Sequence, residues 1–83
     1  MTVKENARQR DMFVKSLLAQ ALLKGVDAAT LKTDAFGSYA TGNRRLKNDP
    51  GRLTLQDLFN IATRIRVPPA ELITTAAQFM NTK

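Results

Sequence analysis

The sequence predicts an all-α, single compact five-helix domain, and three observations carry that prediction. Apolar residues recur at three- and four-residue intervals, glycines, prolines and cap-forming side chains punctuate the ends of those runs, and no strand pattern of convincing length interrupts them. With 83 residues there is room for one domain, and a domain of that size buries only about 60 to 65 per cent of its unfolded surface. No low-complexity tract, internal repeat or linker divides the chain. The domain is therefore read as residues 1–83, with 1–12 an N-terminal extension of the first helix and 74–83 a C-terminal extension of the last.

From about Lys4 to Lys24, the residues Phe13, Val14, Leu17, Leu18, Ala21 and Leu22 form an apolar face, with Arg10, Asp11, Lys15, Ser16 and Lys24 between them. Gly25 stands where a left-handed C-terminal cap is wanted, and Asp27 offers an N-cap oxygen to a second helix, Ala28 to Phe36. Gly37 and Ser38 make the next break, and Ser38 caps a third helix through Tyr39, Thr41, Arg44, Arg45 and Leu46 to about Lys47. Asn48-Asp49-Pro50-Gly51 stops it. Thr54 begins a fourth helix, in which Asp57 has capping-box spacing although Asp reaches back less well than Glu. Its expected apolar stripe is Leu55, Leu58, Phe59, Ala62 and Ile65, with Leu55, Leu58, Phe59 and Ile65 as core. Pro68-Pro69 excludes the helical conformation at Val67, and Pro69 suits the first turn of a fifth helix containing Glu71, Leu72, Ile73, Ala76, Phe79 and Met80.

The chain has no cysteine and no histidine, which excludes disulfides, thiolate or imidazole metal sites and histidine acid/base catalysis. No cofactor is expected. Glu5, Asp11, Asp27, Asp34, Asp49, Asp57 and Glu71 are scattered over cap, loop and exposed positions, so no carboxylate pair claims catalysis and no enzyme is read. No run approaches the roughly 20 apolar residues of a membrane span, and the charged start MTVKENARQRD is no signal peptide. A cytoplasmic protein without a membrane partner is expected. The formal charge of +6, from 13 Lys and Arg against 7 Asp and Glu, favours a polyanion.

Leu55-Gln56-Asp57-Leu58-Phe59-Asn60-Ile61-Ala62, followed by Ile65-Arg66-Val67-Pro68-Pro69-Ala70-Glu71-Leu72, resembles the fourth and early fifth helices of the lambda-repressor-like (Cro/XRE-type) helix-turn-helix DNA-binding family. Gly25-Val26-Asp27 is similar to that family's turn into helix two, so the resemblance covers roughly Phe13 to Ile73. There are departures. Ala28 stands where many members place a phosphate-contacting Gln, Lys32 stands where a small Ala usually packs against helix three, and the turn at Phe36-Gly37 is one residue longer.

The resemblance makes the third helix a recognition helix whose side chains enter the major groove. With Tyr39 and Leu46, seven residues apart, taken as inward anchors, 100° per residue turns Thr41, Arg44 and Asn48 outward with Ser38 and Arg45 beside them. An outward Arg can bond guanine O6 and N7 bidentately, which makes Arg44 the first choice for a base contact and leaves Arg45 for phosphate. Lys47 and Arg52 flank the following loop and would neutralise phosphates, as would backbone amides at the starts of helices two and three. The competing reading of this basic group is an ordinary solvated face. Gly42 costs about 1 kcal/mol inside a helix relative to Ala and is read as permitting close approach of the second helix. Asn43 lies near the inward stripe and is read as capping or bonding backbone.

These features imply a small bacterial or phage-type transcriptional regulator, repressor-like, with double-stranded DNA as its partner and no ligand-sensing domain beside it. Phe79 and Met80, with Ala76 and Leu72, either dock a second subunit to make a homodimer or fold back on helix one. A dimer would set two recognition helices roughly 34 Å apart on a palindromic operator. The alternative function is a helical protein–protein interaction module that keeps the fold without binding DNA, with Ala28, Lys32 and Gly42 marking a lost DNA-binding turn.

Overall fold

Helix α1, Val3–Leu23, runs the length of the domain and places Val14, Leu17 and Ala21 in the core, with Phe13 and Leu18 half-buried. The computed structural model describes residues 3–81, with side chains from residue 7 onward. Residues 1–2 and 82–83 of the two expected extensions, and the Glu5 side chain, lie outside the described residues. Leu22, expected on the apolar face, is exposed because it follows Ala21 by about 100° of rotation and turns away from the core. Ser16, expected on the polar side, is buried. The Gln20 amide nitrogen donates to both the Ser16 hydroxyl and the Leu72 carbonyl at 3.2 Å, tying α1 to the last helix.

Gly25, at φ +80°, turns the chain as its position predicts. Asp27 then caps α2, Ala28–Phe36, by accepting a 2.8 Å hydrogen bond from the Thr30 backbone N–H. Hydrogen bonding from Thr30, chiefly through that N–H, lowers the Asp27 carboxyl from its ordinary value of 3.8. Gly37, at φ +84°, ends α2, and Ser38 caps α3, Tyr39–Asn43. The helical path continues through a single wider turn, Arg44–Asn48, closed by the Asp49 N–H bonding the Arg44 carbonyl at 2.7 Å. A short 3₁₀ turn, Pro50–Arg52, leads to α4, Leu55–Ile65.

The capping box of α4 is complete. Asp57 N–H donates to Thr54 Oγ1 at 3.1 Å, and Thr54 N–H donates to Asp57 Oδ2 at 3.0 Å, so the shorter side chain does reach back. The core face of this helix differs from the expected stripe. Ile61, Ala62 and Ile65 are buried and Leu58 half-buried, whereas Leu55 is 60% and Phe59 39% exposed. Apolar residues occupy two adjacent stripes of α4. Burial of Asp57 with Ile61 and Ile65 selects one of them, leaving Leu55 and Phe59 on its flank.

α4 ends at Arg66 in a left-handed conformation, with Arg66 N–H bonding the Thr63 and Ala62 carbonyls and Val67 N–H bonding the Ala62 carbonyl at 3.0 Å. The helix thus ends one residue before the position that the prolines exclude, through the left-handed Arg66 cap. α5, Pro69–Asn81, packs antiparallel along α1, with Leu72 beside Gln20 at one end and Met80 beside Gln9 and Phe13 at the other. Of the two arrangements open for the C-terminal apolar residues, folding back on helix one is observed, with Leu72 and Ala76 buried and Phe79 partly exposed. The described residues contain helices and no strand. The radius of gyration, 12.0 Å, equals the roughly 12 Å expected of a folded chain this long, so the helices close on one core.

Candidate nucleic-acid interface

α3 is placed by its contact with α2. A Cβ added to Gly42 would lie 2.5 Å from Lys32 Cα and 2.5 Å from the Lys32 carbonyl oxygen, so the two backbones approach as only glycine allows. The close approach expected of Gly42 is present, and it accounts for the large residue at 32. The small partner at this crossing sits on α3 and not on α2. The Lys32 stem runs past the contact, and its ammonium donates to Asn43 Oδ1 at 3.0 Å while lying 5.3 Å from the Tyr39 ring centroid. Asn43 therefore accepts from a side chain, not from backbone as expected.

Tyr39, taken as an inward anchor, is 51% exposed, while Leu46 is buried. The reason lies in the backbone. Gly42 occupies the inward position on the first turn, leaving no room for a ring there, and beyond Asn43 the wider turn carries more residues per revolution than the 3.6 of an α-helix. Each residue of Arg44–Asn48 thus advances less than 100°, and the regular helical wheel loses its phase. The outward stripe runs from Ala40 on α3 to Arg44, one turn on at the start of the wider turn, both exposed, with exposed Lys47 following on that turn.

The nominated residues fall into distinct environments. Arg44 and Lys47 are exposed and have no carboxylate within ion-pair distance among the described residues. Asn48 is exposed at the end of the same turn. Ser38 and Thr41 are engaged with each other. The Ser38 hydroxyl accepts from Thr41 N–H at 3.2 Å and donates to Thr41 Oγ1 at 3.0 Å, which fixes the start of α3. Arg52 pairs with Asp49 at 2.9 Å on the surface. Arg45 turns the other way and donates through Nη1 to Asp57 Oδ2 at 2.9 Å, with the two side chains 30% and 11% exposed.

Arg44, Arg45, Asp49 and Arg52 line one shallow cleft below α3. Of its cations Arg44 alone has no carboxylate partner, so it is the side chain in this cleft with its donors available to a ligand. Asp57 accepts simultaneously from Arg45 and from Thr54 N–H, so the capping box of α4 and the end of the α3 path share one carboxylate oxygen. Sequence reasoning missed Ala40 on the outward face, placed Tyr39 inward where it is exposed, and read Lys32 only as a departure at the packing position. Gly42 carried the available signal, because a glycine crossing on α3 displaces its neighbours from the expected inward stripe. No group of three or more metal-ligating side chains converges, and no helix is long and apolar enough to cross a membrane, among the described residues. No family model, curated protein or solved structure matches the chain.

Proposed function

We propose that this protein is a small sequence-specific transcriptional regulator of lambda-repressor-like helix-turn-helix type, repressor-like, with α3 lying in the major groove of duplex DNA. The observation that carries this reading is the stripe Ala40–Arg44–Lys47. It is solvent-facing, cationic and free of carboxylate partners among the described residues, on α3 and the wider turn that continues it, with α3 packed closely against α2 at Gly42. In this reading the exposed, unpaired Arg44 guanidinium takes guanine O6 and N7, and Lys47 a neighbouring phosphate. Arg45, which the resemblance assigns to phosphate, is better suited to orienting the turn, since its guanidinium is engaged by Asp57. Ser38 and Thr41 set the start of the helix, and Asn48 and Arg52 border the groove-facing loop. A formal charge of +6 supports affinity for a polyanion.

Selection from randomised duplex DNA at near-physiological salt tests the reading, with Arg44→Ala in parallel. One enriched motif that the variant no longer enriches, with a loss of about 1–3 kcal/mol on the selected site, is expected. Equal enrichment by both proteins would remove Arg44 as base reader, and no enrichment by either would remove the sequence-specific function.

A second reading, a protein–protein interaction module, draws on the exposure of Leu55 and Phe59, which lie one turn apart on α4. The same surface is available to a second copy in a homodimer. Salt separates the two functions. DNA affinity falls steeply with ionic strength, whereas a contact through Leu55 and Phe59 changes little.

A further inference from the structure

A second convergence of cations lies at the other end of α4. Lys24, Val26, Arg64, Ile65 and Arg66 line one pocket where the turn after α1 meets the C-terminus of α4. Val26 and Ile65 are buried, so the three cationic residues share a pocket with apolar, low-dielectric walls, a setting that strengthens positive potential. Arg64 pairs with Asp34 through Nε at 2.6 Å. Lys24 and Arg66 have no carboxylate within ion-pair distance among the described residues.

Arg66 is also in a conformation that disfavours it. At φ 62° and ψ 44° it is left-handed, where a Cβ crowds the backbone and glycine is preferred. Among the described residues the other two positive-φ positions, Gly25 and Gly37, are glycines. The hydrogen bonds that end α4 come from the backbone N–H groups of Arg66 and Val67, and a glycine at 66 would make them equally well. Cations near a helix C-terminus complement its dipole, but Arg64 supplies that charge from an ordinary helical conformation. What the position retains by having arginine is a third cationic side chain on the pocket that Lys24 and Arg64 also line.

We infer that the Lys24–Arg64–Arg66 pocket binds a phosphate of a nucleic-acid backbone, as a sequence-independent anchor separate from α3. The three cationic residues line one pocket, which suits the clustered oxygens of a single phosphate, and guanidinium forks match those oxygens. An extended acidic peptide would call for a track of cations. Asp57, which holds Arg45, and Arg66 are nine residues apart along α4, about 14 Å at 1.5 Å per residue, so the two cationic sites are distinct. The inference rests on the nucleic-acid reading of the protein but not on base recognition by α3.

The test compares wild type, Arg66→Gly and Arg44→Ala on a random-sequence 20-base-pair duplex, and on the selected site, across a salt series. Arg66→Gly keeps the left-handed turn, and its thermal midpoint equal to or above wild type establishes that it is folded. Expected is a severalfold weaker hold on both duplexes, a log–log salt slope smaller by about one, and an unchanged ratio of selected to random affinity. Arg44→Ala shows the converse, a collapsed ratio. Wild-type affinity and slope in Arg66→Gly overturn the phosphate site even if α3 reads sequence. Conversely, an Arg66-dependent slope without any preferred sequence keeps the phosphate site and removes the recognition reading. Polyglutamate binding that depends on Arg66, with no duplex binding, reassigns the pocket to an acidic protein and overturns the inference.

Discussion

At Gly42 the packing of α2 and α3 depends on the absence of one carbon. The nearest obstacles to a Cβ are the Lys32 Cα and carbonyl oxygen, which are backbone atoms and cannot rotate away. Gly42→Ala would gain about 1 kcal/mol in helix propensity and lose more through forced separation of the helices, giving a net destabilisation of about 2 kcal/mol or more. Urea unfolding measures it. Lys32→Ala should fail to rescue the variant, because truncating Lys32 leaves both obstructing backbone atoms in place; recovery of stability in the double variant would refute the close-packed crossing. The neighbouring positions are only partly legible in the sequence. Gly42 announces a close approach and the resemblance places residue 32 against helix three, but nothing in the pattern says that Tyr39 is displaced outward.

Among the elements, the junction of the wider turn with α4 has the clearest energetic signature. Arg45 and Thr54 N–H both donate to Asp57 Oδ2, and Asp57 is mostly buried. Removing Arg45 leaves that carboxylate with one of two donors. A hydrogen bond to a charged group contributes about 1.5–3 kcal/mol, and partial exposure of Arg45 reduces this, so Arg45→Ala should cost about 1–2 kcal/mol of folding stability. Arg44→Ala, on an exposed side chain, should stay within about 0.5 kcal/mol of wild type. Denaturant melts of the two single variants therefore separate residues that are adjacent and chemically identical in the sequence; equal losses would contradict the division of roles. The elements themselves were largely legible. Asp27, Ser38 and Thr54 cap the helices they were expected to cap, since an N-cap is a local interaction over three residues. The wider turn at Arg44–Asn48 was not legible, because its alternative, a regular helical turn, uses the same residues and differs only in how the chain must reach Asp57 and the Pro50–Arg52 turn.

For the whole molecule, the decisive packing question was which stripe of α4 faces the core. Ile61 is fully buried and Leu55 is mostly exposed. Ile61→Ala should cost about 2–5 kcal/mol, whereas Leu55→Ala should cost under about 1 kcal/mol, as exposed positions usually do. Thermal or urea unfolding of the pair checks this, and a larger loss at Leu55 than at Ile61 would mean that the core face is the other stripe or that Leu55 is covered by a second copy. Repeating the Leu55→Ala measurement over a range of protein concentration distinguishes those causes, since only a dimer makes stability concentration-dependent.

The sequence by itself determined that the chain is helical, where most helices begin and end, and that its surface is basic. Those properties follow from interactions within three or four residues and from a sum of charges. Tertiary structure alone decided which of two apolar stripes on α4 is buried, that α5 returns along α1, that Arg45 turns to Asp57 while Arg44 faces solvent, and that Lys24, Arg64 and Arg66 line one pocket. Each of those outcomes depends on groups distant in sequence competing for the same volume or the same carboxylate, and local periodicity does not contain that competition.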